Sequence, residues 1–87
     1  MGQFWGLDIQ QIHDMSRSMD AEANEIQNVI TNLIRRVNDA QWQGPDADRF
    51  RGEWQHHQRQ LTQIVNSLHA TANQARANAE AQKRASA

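Results

Sequence analysis

The sequence predicts an all-α fold: an antiparallel helix-turn-helix hairpin that dimerises into a four-helix bundle. Two long stretches repeat their apolar residues at alternating steps of three and four, which is the period of a helix packed along a seam. The motif Trp42-Gln43-Gly44 separates these stretches near the middle of the 87 residues. The stretches are long and the turn between them is short, so the two helices must lie antiparallel.

The first helix is predicted over residues 8–41, where no Gly or Pro interrupts the pattern. Asp8 can cap its amino end, with Gln11 three residues later to complete a capping box. Met15, Val29 and Ile34 widen the apolar stripe beyond a strict seam, as expected for a helix with more than one neighbour. The core-facing positions of the stripe, called slots hereafter, are occupied by Ile9, Ile12, Ser16, Met19, Ala23, Ile26, Ile30, Leu33, Val37 and Ala40.

The turn is predicted at residues 42–44 and the second helix at about 45–80. Gly44 accepts backbone angles that other residues resist, and Pro45 suits the first position of a helix. Beyond residue 70 the apolar slots contain only alanine, so we expect residues 81–87 to fray and the whole chain, 1–87, to be one domain. The slots of this helix hold Ala47, Phe50, Trp54, His57, Leu61, Ile64, Leu68, Ala72, Ala75 and Ala79, and Val65 widens the stripe.

Dimerisation is predicted because two helices cannot cover two wide stripes between them. Hydrophobic residues make up only 38% of the chain, too few for one small hairpin to enclose a core. A second copy of this chain is the expected partner, with a related hairpin protein as the alternative. The predicted dimer core consists of Ile12, Met19, Ile26, Ile30, Leu33, Val37, Phe50, Trp54, Leu61, Ile64 and Leu68.

Several classes of function lack support in the sequence. There is no Cys, and no two of the four His have the i,i+3 or i,i+4 spacing of a helical metal site, so we expect no metal, no cofactor and solvated or rim positions for the His. No nucleophile and general base have the sequence spacing of a catalytic pair, which argues against an enzyme. A net charge of -1 and short basic clusters do not favour nucleic acid. No signal peptide is recognisable, and no apolar run approaches the ~20 residues of a membrane span.

Trp42-Gln43-Gly44, placed at the turn between two heptad helices, resembles the motif of the WxG family. These are small helical-hairpin proteins exported by type VII secretion systems, relatives of the early secreted antigenic target of mycobacteria. The resemblance covers essentially the whole chain, and residues 42–50 are especially like actinobacterial members. Trp42 and Gly44 are then the turn and secretion motif. The chemistry of Trp42 alone favours an aromatic plug that closes the end of the bundle, because a large side chain beside a turn usually packs.

The resemblance also implies an export signal near the end of the second helix, a Tyr followed four residues later by an acidic residue. This chain has no Tyr; Glu80 is the candidate acidic half, and Arg76 stands where the Tyr is expected. The implied function is export as a folded dimer, recognised by the FtsK-type ATPase of the secretion machine after folding in the cytoplasm, with a secreted or cell-surface destination and no stable membrane insertion. One alternative is an adaptor that pairs with a larger type VII substrate and delivers it. Another is an intracellular coiled-coil assembly module.

Overall fold

The computed structural model describes residues 8–86, and these form two helices, α1 over Ile9–Asp39 and α2 over Pro45–Ser86. The helices pack against each other along their length, and their polar pairs join the start of α1 to the end of α2. The predicted all-α antiparallel hairpin is therefore confirmed. The predicted single domain over 1–87 includes residues 1–7 and 87, which lie outside the described residues.

The ends of the helices follow from local chemistry. The Asp8 carboxylate accepts a hydrogen bond from the Gln11 backbone N–H at 3.0 Å, the cap that the sequence predicts. α1 ends at Asp39, two residues earlier than predicted, because Ala40 adopts an extended conformation with φ -64° and ψ 127°. Gly44 has φ 116°, which explains the need for glycine, and its carbonyl accepts the first backbone hydrogen bond of α2, from Asp48 at 3.0 Å.

The hairpin is a rod, 66 Å long and 17 by 16 Å across, so it has little interior. Small side chains dominate that interior because they allow the two helix backbones to approach closely. Ile30 is 1% exposed and packs with Ala23 and Val65 in the central cluster. Most of the buried residues recur every seventh position: Ser16, Ala23 and Ile30 on α1, and Val65, Ala72 and Ala79 on α2. Ala47, near the start of α2, is also buried and stands outside this series.

α2 continues to Ser86, beyond the boundary at about residue 80 that the sequence predicts. The frayed segment expected at 81–87 is thus helical as far as the description extends. Ala72 and Ala79 are fully buried, so the alanine-only end of α2 does have a surface to cover. One residue beyond Ala79, Glu80 hydrogen-bonds His13 of α1 and fastens the end of α2 to the start of α1.

Candidate interaction surfaces of the hairpin

The turn that contains the Trp42-Gln43-Gly44 motif is fixed by an arginine from α2. Arg51 donates from Nη1 to the Trp42 carbonyl at 2.8 Å and from Nη2 to the Ala40 carbonyl at 2.9 Å. The Trp42 backbone N–H also donates to the Ala40 carbonyl, at 3.0 Å. These carbonyls lie beyond the last turn of α1 and have no partner within that helix. Arg51 therefore holds the backbone of the turn, including that of Trp42, in one conformation.

The Trp42 side chain lies on the surface and is not enclosed by the hairpin. Its ring packs against Phe50 with a centroid separation of 5.5 Å and a tilt of 49°, and both side chains remain 44% exposed. Together they form one wall of an apolar groove of about 300 Å³ at the turn end of the rod. The groove is lined by Leu33, Arg36, Val37, Ala40, Trp42, Phe50 and Arg51, so it joins residues of both helices.

A row of exposed apolar side chains extends from this groove along the rod. We call it the apolar face, and it consists of Met15, Val29, Leu33, Phe50 and Ile64. Residues seven apart on a helix differ by only about 20° in direction, so Met15 and Val29 share one side of α1, and Phe50 and Ile64 share one side of α2. All four side chains are exposed, as is Leu33. Leu33 and Phe50 line the same groove, so the two series lie on the same side of the hairpin.

The residues predicted as a dimer core divide between the inside of the hairpin and this face. Ile30 alone among them is buried by the hairpin itself. Leu33, Phe50 and Ile64 are exposed. The others are half-buried: Ile12, Met19, Ile26, Val37, Trp54, Leu61 and Leu68.

Polar pairs between the helices bind the tail of α2 to α1. The imidazole of His13 lies 2.9 Å from a Glu80 carboxylate oxygen. Asp20 contacts two residues of α2, the imidazole of His69 at 2.7 Å and the guanidinium of Arg76 at 2.8 Å. The hydrogen bonds from His69 and then Arg76 hold the pKa of Asp20 below its ordinary value of 3.8, since both favour the ionised carboxylate.

These pairs change the interpretation of several residues singled out by sequence. Glu80 and Arg76, the candidate tail signal, are both engaged with α1 in the hairpin. His13 and His69, expected at solvated or rim positions, are half-buried and hydrogen-bonded across the hairpin. Among the described residues no group of three potential ligands is placed to hold a metal, and neither helix has a stretch that could cross a bilayer.

A family model described as "WXG100: Proteins of 100 residues with WXG" matches residues 7–85, nearly the whole chain. The chain belongs to the WXG100 family. This family comprises small helical proteins without enzymatic function that pair with hairpin partners and are associated with secretion. The match confirms the family inferred from the Trp42-Gln43-Gly44 turn. No curated protein and no solved structure gives a significant match to the chain.

Proposed function

We propose that this WXG100 protein is a non-enzymatic substrate of a type VII secretion machine, exported as a folded homodimer to the cell surface or medium. The single observation that carries the proposal is the apolar face, which leaves Met15, Val29, Leu33, Phe50 and Ile64 exposed on one side of a hairpin. An exposed apolar stripe of this length marks an interaction surface. A second hairpin packed on it completes a four-helix bundle, and this dimer folds in the cytoplasm before export.

Recognition by the secretion ATPase is proposed at the turn, through Trp42 and Gly44. The indole of Trp42 is half-exposed beside Phe50, so a partner can bury it, and Arg51 holds its backbone in one conformation. In a head-to-tail dimer this turn lies beside the tail of the other copy. Glu80 in that tail is proposed as the acidic part of the signal.

The adaptor function is the second candidate, and the tail of this chain favours it. Arg76 occupies the position where the family signal has Tyr, and its guanidinium is bound to Asp20. A larger partner protein that carries its own Tyr-containing tail supplies the missing half in this case. Membership of a family associated with secretion favours both of these functions over an intracellular assembly module.

A secretion assay in the native host, with this protein expressed alone or with its neighbouring genes, tests the proposal. Trp42→Ala is expected to abolish export while helicity by circular dichroism stays near wild type, and Trp42→Phe serves as the matched control. Deletion of residues 76–87 is likewise expected to abolish export. Export of wild type only when neighbouring genes are present identifies the adaptor function. Normal export of the tail deletion, with the protein expressed alone, contradicts the proposed location of the signal.

Glu80 needs its own control because it also fastens the tail through His13. Glu80→Ala removes both the carboxylate and the fastening, whereas His13→Ala removes the fastening and leaves the carboxylate in place. We expect Glu80→Ala to weaken export and His13→Ala to leave it near wild type. Equal loss in both variants means that Glu80 only holds the tail against α1 and is no part of the signal.

A further inference from the structure

The large aromatic side chains of this chain, three Trp and two Phe, fall into three groups. Trp42 and Phe50 form the wall of the groove at the turn, and Trp54 is half-buried on α2. Phe4 and Trp5 stand next to each other shortly before α1, and they lie outside the described residues. We call these two residues the aromatic pair.

The groove at the turn has the chemistry that holds an aromatic side chain. Its exposed surface is almost entirely apolar, and the Trp42 and Phe50 rings are exposed enough for a further ring to pack edge-to-face or offset on them. Arg36 also lines the groove, and within residues 8–86 its guanidinium has no carboxylate partner. Such a guanidinium can stack on the face of an aromatic ring. The groove therefore favours an aromatic side chain over an aliphatic one.

The aromatic pair cannot reach the groove of its own chain. Leu33 is the groove residue nearest to the start of α1, and it lies roughly 36 Å from Ile9 at ~1.5 Å per residue. Trp5 precedes Ile9 by four residues, which span at most about 14 Å when fully extended. The pair can therefore occupy the groove only of another molecule.

A second copy packed head to tail on the apolar face brings its aromatic pair to the groove. The two-fold axis of such a dimer lays α1 of one copy over α1 of the other, in opposite directions. When the two rods overlap along their length, the amino end of one α1 is level with Leu33, Val37 and Ala40 of the other, which line the groove. A slip of one heptad moves these ends by only ~10 Å, which the chain between Trp5 and α1 can span. The contact therefore does not depend on an exact register.

We infer that Phe4 and Trp5 of one copy insert into the groove of a second copy and pack on its aromatic wall, once at each end of the dimer. The inference rests on the proposed homodimer. An aromatic side chain covered in a pocket is the kind of anchor that dominates many interfaces. This chain carries both the groove and the aromatic pair, which makes a second copy the matching occupant. The secretion ATPase proposed to bind at Trp42 then meets a turn that carries the aromatic pair of the other copy.

The dimer affinity of variants in the aromatic pair tests the contact. Trp5→Ala removes the larger ring, and we expect the Kd to rise at least about tenfold, whereas Trp5→Phe keeps a ring and should stay within about threefold of wild type. Gln3→Ala removes a polar side chain just before the pair and serves as the control with unchanged Kd. Sedimentation equilibrium gives the Kd values, and circular dichroism checks that helicity is retained. Equal Kd values for wild type and Trp5→Ala contradict the inference.

Disulfide cross-linking locates the aromatic pair, since the chain itself has no Cys. Gly6→Cys, next to the pair, and Ala40→Cys, in the groove, are made in separate chains and mixed under oxidising conditions. A disulfide requires the two Cα atoms to come within ~7 Å, so we expect this mixture to form covalent heterodimers. Ala21→Cys, at an exposed position in the middle of α1, is the matched control and should cross-link to Gly6→Cys at least about tenfold more slowly.

The outcomes separate the contact from the homodimer on which it rests. If wild type dimerises but Gly6→Cys cross-links no faster to Ala40→Cys than to Ala21→Cys, the aromatic pair does not occupy the groove, and the homodimer stands. If Gly6→Cys and Ala81→Cys in one chain form an internal disulfide instead, the pair folds back on its own end of the hairpin and the inference is overturned. If wild type stays monomeric, the proposed homodimer is refuted, and the contact with it.

Discussion

Replacing Ile30 with Ala tests whether the hairpin interior and the apolar face are separate surfaces. Ile30 is 1% exposed and lies in the cluster with Ala23 and Val65. Removing three buried carbon atoms from such a site costs ~2–5 kcal/mol, and the half-buried neighbours Ile26 and Leu61 can close part of the gap. We therefore expect a loss of about 2–3 kcal/mol, equivalent to roughly 10–20 °C in Tm for a domain of this size.

The neighbouring residue Val29 provides the control, since its side chain is 55% exposed and points along the apolar face. Val29→Ala should lower the free energy of unfolding of the hairpin itself by less than about 1 kcal/mol. It also removes apolar surface that a second copy would cover. We expect the stability of this variant to approach that of wild type at low protein concentration and to fall behind as the concentration rises, because only wild type gains the full stabilisation from association.

Urea denaturation followed by circular dichroism, repeated over a wide range of protein concentration, separates the two effects. Ile30→Ala should lower the midpoint at every concentration. Val29→Ala should reduce the dependence of the midpoint on concentration. Equal losses in the two variants at all concentrations would refute the division of the apolar stripe into an interior and an exposed face.

Three further predictions address the turn, the polar pairs and the core. Gly44→Ala should lower the free energy of unfolding by about 1–2 kcal/mol in chemical denaturation, because φ at residue 44 is 116°. A new Cβ there meets nothing within 4 Å, so the loss comes from the backbone conformation and not from a clash. Gly52→Ala, equally unobstructed but within α2, should instead stabilise the protein by ~0.5–1 kcal/mol. The pKa of Asp20 lies below 3.8, so its ionised form contributes stability above that pH that is lost as the pH falls through the lowered pKa. Asp20→Asn should therefore show a shallower loss of stability in an acid titration followed by circular dichroism, and an unchanged slope contradicts this. Leu61→Asp should unfold or dissociate the protein, because Leu61 packs on the central cluster, while Gln27→Asp should be far milder, and equal damage at both positions means that the helical register is wrong.

The heptad pattern was sufficient to predict the hairpin but not the division of its apolar residues. Val65 lies beside the predicted slots and is 4% exposed, whereas Ile64, in a slot, is 51% exposed. Adjacent residues differ by about 100° around a helix, and the stripe is wide enough to include both. Which of the two faces the other helix depends on the register between α1 and α2. The heptad period of the sequence does not determine that register.

The polar contacts depend on the same register and were missed for the same reason. His69 contacts Asp20, which is 49 residues away in the chain, and no local spacing indicates that pairing. Arg51 was also missed as a residue that organises the turn, because sequence alone does not reveal that the carbonyls of Ala40 and Trp42 point towards it. The Trp42 and Gly44 positions were recognisable because their requirements are local.

Sedimentation of the purified wild-type chain at micromolar concentration tests the central claim that the apolar face is covered by a second copy. Each chain has a mass of 10.0 kDa, and a homodimer therefore has twice that mass. We expect this dimer to predominate and its fraction to rise with concentration. A 10.0 kDa monomer that melts cooperatively and does not associate as the concentration is raised would contradict the account.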